Sequence, residues 1–320
     1  MKGRSIPLLA VDGGGTKCLA VFTDRQGKIE GTGRGGSCNY QTTGKEAAVD
    51  ELVRAMKIAR EDLTEPPAPD ETLRVECAVF GMAGLDTGYD RQIIEGLVRE
   101  ALSRAEIQAD RVVVENDGLA ALLGATDGKP GVLLIAGTGS IVYGVNGQGR
   151  SARAGGWGYR VGDEGSAYWI GKQALTAILQ TLDGRQGPTI LARRVLPYLD
   201  LRSEEELYNW VYSADYRVDT VAELSLLVSD SAREGDASSL RILEAAADEL
   251  VYGGRAVIEK LGMKDTSFTL ILQGGVLQNN EFVRSRLTKK LREFAPSCNL
   301  EEIKKEPIYG VIAQGLSLLP

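Results

Sequence analysis

The sequence predicts an α/β fold built twice from one plan, and three observations carry that expectation. An apolar strand that breaks into a glycine loop with a hydroxyl occurs at Leu9–Lys17 and again at Leu134–Ser140, so that Gly13, Gly15 and Thr16 fall on Gly137, Gly139 and Ser140. Each loop runs into a second apolar stretch and then a polar turn, Gln26-Gly27-Lys28 or Gln148-Gly149-Arg150. The other apolar runs alternate with stretches of helical periodicity, the order expected of strands buried in a sheet between helices.

Taken in order, the first half reads as strands at about 6–11, 17–23 and 28–33, a helix at about 44–62, and a strand at about 74–80. A Pro-rich loop, Glu65-Pro66-Pro67-Ala68-Pro69, separates that helix from the fourth strand. A helix at about 88–105, the strand 111–115 and a short helix at about 117–124 complete the unit. The second half restarts with strands at about 132–136, 141–146 and 151–154. From Pro130 to Gly149 no residue is charged, but the repeated glycines mark a hairpin there, not a spanning helix. A helical tract at about 164–264 follows, without a phosphate-type loop, and reads as a substrate-side lobe or a subunit contact. A strand at 268–273, a helix at about 279–294 and a last helix at about 308–319 close the chain. In that last helix Ile308, Val311, Ile312, Gly315, Leu316 and Leu319 share one face. The expected division is 1–118, joined by the final helix at about 308–320, and 119–307, with the insertion at about 164–264.

At 320 residues, 43% apolar and 25% charged, the chain is long enough for two cores. A formal charge of −7 leaves no basic footprint for nucleic acid or an anionic membrane, so a small molecule is the expected partner. Cys18, Cys38, Cys77 and Cys298 form no CxxC pair, which fits a reducing cytoplasm and small core residues. Asp12 interrupts the first apolar stretch before a signal-peptide core can form, so the N-terminus reads as unprocessed. Histidine is absent altogether, which excludes Ser-His-Asp and HExxH machinery and hands acid–base work near neutral pH to carboxylates first.

The glycine loops are neither GxxxxGK[ST] nor GxGxxG. Asp12-Gly13-Gly14-Gly15-Thr16-Lys17 taken alone could be a tight hairpin whose glycines supply positive φ, but a second copy at Gly137-Thr138-Gly139-Ser140 points to backbone N–H groups presented to a polyphosphate across a cleft. Only the first copy carries a carboxylate, since Asp12 aligns with Ala136. Beside phosphates a carboxylate needs a divalent cation between, so Asp12 is the candidate for positioning Mg²⁺, with an Asx turn as the alternative. Asp117 opens a short helix after an apolar strand and reads equally as an N-cap or as a catalytic base at a strand's C-terminal end. In Gly155-Gly156-Trp157-Gly158-Tyr159-Arg160-Val161-Gly162-Asp163-Glu164-Gly165-Ser166 the glycines admit a ligand close to the backbone and Trp157 offers an apolar face. There Asp163 can accept from hydroxyls or cap a helix, with Ser166 its competitor for the cap. Asn39 could be a turn residue, and Gln273-Gly274-Gly275-Val276 either a strand-to-helix connector or a seat for a nucleoside.

Together these segments, with the Glu115-Asn116-Asp117-Gly118 run and the Gly162-Asp163-Glu164-Gly165-Ser166-Ala167-Tyr168-Trp169 block, resemble the N-acetylglucosamine kinase branch of the BadF/BadG/BcrA/BcrD-type ATPases, within the actin, sugar kinase and heat-shock chaperone superfamily. The resemblance covers almost the whole chain. It implies a duplicated ribonuclease-H-like (actin-like ATPase) fold of two lobes with a central cleft and a helical insertion in the second. It also implies ATP and Mg²⁺, and transfer of the γ-phosphoryl group to the 6-hydroxyl of an amino sugar, most simply N-acetylglucosamine. On that footing Asp117 is the base, and Asn39, Gly156, Trp157, Gly158 and Asp163 join it as sugar contacts. Gly13, Gly14, Gly15, Thr16, Lys17, Gly137, Thr138, Gly139, Ser140, Gly274 and Gly275 meet ATP, and Asp12 lies on the Mg²⁺ side, reaching the ion through water. The chain departs from some members at Tyr159, where they carry His, so sugar selectivity is the least transferable property. A cytoplasmic homodimer is the expected form.

Three other functions compete. Glucosamine or N-acetylmuramic acid kinases share the apparatus, and Arg160 could meet a lactyl carboxylate or simply lie at the surface. An iron–sulfur redox activator ATPase would need thiolates near a dimer axis, a pattern the four cysteines lack. A sugar-sensing repressor would bring a helix-turn-helix and a Cys/His zinc site, and the chain has no His.

Overall fold

The computed structural model describes residues 5–68, 71–302 and 306–320; Met1–Arg4 and the end of the Pro-rich loop lie outside them. Two compact units emerge, one comprising residues 1–131 with 303–320, the other residues 132–302. The first division therefore falls later than the expected 118/119. The reason is packing: the helix that Asp117 opens lies against the last helix of the chain, within the first unit.

The first unit runs β1 (Ser5–Gly13), β2 (Cys18–Thr23), β3 (Ile29–Gly35), α1 (Tyr40–Thr43), α2 (Lys45–Glu61), β4 (Leu73–Met82), α3 (Gly88–Arg104), β5 (Ile107–Asn116) and α4 (Asp117–Ala125). Its sheet has the order β3-β2-β1-β4-β5, with β1 antiparallel to β2 and parallel to β4, and β4 parallel to β5. Period-two alternation splits β1 between two cores: Leu9 and Val11 join the side chains of α2 and α3, while Leu8 and Ala10 join those of α4 and the C-terminal helix. Each such fully buried leucine contributes about 1.5–3 kcal/mol. The register of β3 against α2 is set by Gly31, Gly33 and Gly35, which all face the helix; a Cβ on Gly33 would overlap the Ala55 carbonyl oxygen.

The second unit continues with β6 (Gly131–Ala136), β7 (Ser140–Val145), β8 (Ser151–Gly155), α5 (Ala167–Leu182), α6 (Leu191–Tyr198), α7 (Glu204–Val211), α8 (Val218–Arg233), α9 (Ala237–Lys260), β9 (Phe268–Gln273), α10 (Gly275–Asn279), α11 (Glu281–Phe294) and β10 (Cys298–Glu301). The closing helix α12 (Ile308–Ser317) packs on β1, β4 and α4 of the first unit. The second sheet has the order β10-β9-β6-β7-β8, the same plan as the first with β6 in the place of β1. Its core is one cluster in which strands of that sheet meet α5, α8, α9 and α11.

Three elements differ from the sequence expectation. The helix expected at about 279–294 is α11, capped by Asn280, whose side chain accepts from Val283 N at 3.0 Å, but the short α10 that precedes it was not expected. The strand β10 and the single turn α1 were not expected; both are only four residues long, too short for a periodic signal. All four cysteines are buried and free. Among the described residues no helix is long and apolar enough to cross a membrane.

Candidate functional site

The first unit gathers Asp12, the Gly13–Lys17 hairpin, Asn39 and Asp117 around the ends of β1, β4 and β5. β1 and β2 close through Gly14 N donating to Lys17 O at 2.9 Å, and Gly13 O accepts from Ala83 N at 2.8 Å. Thr16 and Lys17 stand exposed at the tip with Gly15. Glycines 13, 14 and 15 do not adopt positive φ, so turn conformation does not explain them. Gly13 is explained by packing, since a Cβ would come within 2.6 Å of the Met82 sulfur. Gly15 is not, because a Cβ there would meet nothing within 4 Å.

Asp12 is half-buried, and burial raises its carboxyl above the ordinary value; Lys17 opposes the rise and Glu306 adds to it. Among the described residues no group of three or more acids, cysteines or histidines could cage a metal ion. A half-buried carboxylate outside any cage of ligands fits Mg²⁺ that keeps most of its water and leans on substrate phosphates. Asn39 caps α1, its Oδ1 accepting from Gln41 N at 3.0 Å. Its backbone carbonyl accepts from the Thr42 and Thr43 hydroxyls, both at 3.0 Å.

Asp117 is not the cap of the helix that it opens. Asn116 is the N-cap of α4: its Oδ1 accepts from Gly118 N at 2.9 Å and Leu119 N at 3.2 Å, and its Nδ2 donates to Leu85 O at 3.3 Å. Asp117 is thus the first helical residue, half-buried, with Oδ1 accepting from Gly118 N at 2.8 Å. Burial pushes its carboxyl up to about 6 against that hydrogen bond, helped by the nearby charges of Asp12 and Asp86. Asp86 was missed by sequence reasoning. The signal was available: it lies in the Gly84-Leu85-Asp86-Thr87 turn after β4, the strand between β1 and β5.

The second unit brings Gly137–Ser140 together with the segment 155–168. Gly137 O and Thr138 O accept from Ala167 N and Tyr168 N of α5 at 2.8 and 3.3 Å. Ser140 is turned inward, its hydroxyl donating to Glu164 O at 2.8 Å and its N–H to Asp163 Oδ1 at 3.3 Å. Its hydroxyl is therefore engaged inside the protein, whereas Thr138 is exposed. Ser166 caps α5 through Trp169 N at 3.2 Å, so Asp163 is not that helix's cap. Asp163 is 9% exposed, adopts φ of 60°, and has its carboxyl raised by burial despite the nearby amides of Ser140 and Gly158.

Trp157 is 60% exposed and carries the Arg153 guanidinium over one ring face, 4.3 Å from the centroid. Gly155, Gly156 and Gly158 around it do hold positive φ, so conformation, as well as any ligand, requires these glycines. Tyr159 sets its ring edge-on to Tyr168 at 5.2 Å and accepts from Arg160 Nε at 3.2 Å.

A cleft of about 750 Å³ opens beside the second glycine loop, lined by Gly137 and Thr138, by Gly275 and Val276, and by the α8 face that bears Ala222 and Ser225. Its size suits a nucleoside. Part of the helical tract expected to serve the substrate side or a subunit contact, α8, walls the cleft that adjoins the second glycine loop. Small residues at helical spacing, Ala222, Ser225 and Ser229, were the available trace.

Two sheets of one strand order, each with a glycine hairpin after its central strand, define an α/β protein of the actin-like, sugar-kinase type. The chain belongs to the BadF/BadG/BcrA/BcrD ATPase family, whose model matches residues 9–312. It is 33% identical over 95% of its length to an N-acetylmuramic acid/N-acetylglucosamine kinase of Clostridium acetobutylicum, covering 96% of that protein. To an N-acetyl-D-glucosamine kinase of Dictyostelium discoideum it is 32% identical, over 97% of both chains. A crystal structure from Chromobacterium violaceum that bears the provisional name N-acetylglucosamine kinase superposes with a TM-score of 0.72 at 26% identity, over 98% of this chain and 99% of that one.

Proposed function

We propose that the chain transfers the γ-phosphoryl group of ATP to the 6-hydroxyl of an amino sugar, N-acetylglucosamine first, with Asp117 as general base. Asp117 itself carries the reading: a carboxyl relieved of capping by Asn116, at the C-terminal end of a parallel strand, and held at about 6. Such a group is ionised at neutral pH yet basic enough to take a hydroxyl proton. Its Oδ1 is occupied by Gly118 N, so Oδ2 is the atom that receives the proton as the sugar oxygen attacks phosphorus. Asn39 spends its Oδ1 on Gln41 N, which leaves its amide N–H groups to donate to sugar hydroxyls. Trp157 offers the ring face that Arg153 does not cover.

For the nucleotide, Gly15 and Thr16 supply the first hairpin's contacts and Gly137, Thr138 and Gly275 the second's, with the nucleoside in the cleft beside α8. Mg²⁺, when bound, neutralises charge on the transferring phosphoryl group, and Asp12 is the residue that would hold it, through water. N-acetylmuramic acid is the second reading, supported by the Clostridium relative named for both sugars and by Arg160, an exposed guanidinium beside the Trp157 loop. An ADP-release assay across N-acetylglucosamine, N-acetylmuramic acid and glucosamine tests both readings. Turnover with N-acetylglucosamine above the others supports the first; no turnover with any of them removes the kinase assignment.

A further inference from the structure

The GGWG loop and the second phosphate loop are joined through one buried carboxylate. We propose that Asp163 is a positioning residue for the Gly137–Ser140 loop, so that the grip on the nucleotide and the state of the sugar-side loop are set by the same side chain. The sugar arm of this inference rests on the kinase reading above; the nucleotide arm does not.

Four observations converge on Asp163. Its Oδ1 accepts from Ser140 N at 3.3 Å, and the Gly158 amide lies near enough to lower its proton affinity, while Gly156 N donates to Ser140 O at 3.0 Å, so the two loops meet at this carboxylate and the residue it holds. Gly139 packs flush on it: a Cβ there would stand 2.9 Å from Oδ2 and 3.2 Å from Oδ1. Its backbone is held in the left-handed region at φ 60°, which aspartate adopts as a single residue where its neighbours hold it there. Ser166 is one such neighbour, its N–H donating to Asp163 O at 3.1 Å. The residue is not the cap of α5, a role that Ser166 fills.

A carboxylate that bridges two loops couples them. A sugar hydroxyl that donates to Asp163 reorients the oxygens that hold Ser140 N and abut Gly139, and a phosphate seated on the Gly137–Ser140 loop restrains those oxygens in turn. By linkage, whatever factor the sugar imposes on nucleotide affinity, the nucleotide imposes on sugar affinity.

The test uses the full chain and calorimetry with AMPPNP and N-acetylglucosamine, each alone and each with the other at saturation. In Asp163→Ala, AMPPNP binding without sugar weakens about tenfold, the scale of one hydrogen bond to a charged group, and the sugar-induced change in AMPPNP affinity disappears. In Gly139→Ala, which lies in the phosphate loop and meets no sugar, N-acetylglucosamine binding without nucleotide weakens as well. Asp163→Ala that keeps AMPPNP affinity within about twofold while losing the sugar would make Asp163 a sugar contact and nothing more. Should Asp163→Ala fail to fold, Gly139→Ala decides, and unchanged sugar affinity there overturns the coupling. If the wild-type chain binds none of the amino sugars, the kinase reading falls, while the AMPPNP measurement without sugar still reads the strut.

Discussion

Asn116 caps the helix that Asp117 begins. It takes the amides of Gly118 and Leu119 on its own Oδ1, sharing the first with Asp117, and the neighbouring carboxylate at the strand end keeps a proton affinity raised by burial. On the proposed mechanism, capping and base are thus divided between adjacent residues. An aspartate that did both would have its charge stabilised by the helix N-terminus and would be a poorer base.

Asp117→Asn is expected to lower kcat by about 10²–10⁴, the range for loss of a general base, with AMPPNP affinity unchanged. In the wild-type chain kcat/KM should fall with unit slope on the acid side of about pH 6, because the base must be ionised to act. No imidazole can produce that limb, since the chain has no histidine. ADP release followed from pH 5 to 8 checks both; near-normal turnover in the variant takes the base role away from Asp117.

The same shift predicts a stability gain. A carboxyl whose folded value lies at about 6, above its ordinary value of 3.8, favours folding most while protonated, and that contribution is lost as pH rises through the folded value. Asp117→Asn, neutral at every pH, should therefore melt higher than wild type at pH 7.5. The difference should shrink between pH 6 and pH 4 and vanish below, where both side chains are uncharged. Melting curves at those pH values measure it, and equal melting temperatures at pH 7.5 contradict the burial cost.

Gly33 fixes how closely β3 and α2 approach. A Cβ there would overlap the Ala55 carbonyl oxygen and stand 2.9 Å from Ile58 Cβ, and its neighbours Gly31 and Gly35 face the same helix backbone. Gly33→Ala should destabilise the first unit by about 1–3 kcal/mol, the cost of overpacking where only backbone can yield. Gly44→Ala is no control because Gly44 has φ of 85°, whereas Gly96→Ala, in the exposed face of α3 with open space at its Cβ, should be neutral or stabilising. Urea titration of the three chains reads the contrast.

How much of this was legible beforehand depended on the range over which each signal acts. The strands around Val11 and Leu134 and the helices α2, α3 and α12 were readable because burial imposes a local period. The choice between Asn116 and Asp117, and between Ser166 and Asp163, was not: both members of each pair cap well, and only the path of the chain decides which side chain reaches the free amides. The α8 wall of the cleft was hidden for a different reason, since Ala222 and Ser225 are as ordinary in a packed helix as beside a ligand. Asp86 escaped because its closeness to Asp117 is created by the pairing of β4 with β5, a contact between distant segments.

Gly15 and Gly274 differ in what the fold asks of them. Gly15 has no positive φ and open space at its Cβ, so Gly15→Ala should leave stability within about 0.5 kcal/mol of wild type. Gly274 has φ of 92°, and its Cβ would overlap the Ala136 carbonyl, so Gly274→Ala should cost about 1–3 kcal/mol as well as disturb the cleft. If backbone at the first hairpin approaches a phosphate, the added methyl of Gly15→Ala should raise the KM for ATP about tenfold, a loss of about 1.4 kcal/mol, while the KM for the sugar stays near its wild-type value. Steady-state kinetics paired with melting curves distinguishes the cases: a stable Gly15→Ala chain with wild-type KM for ATP would leave that glycine without a role in nucleotide binding.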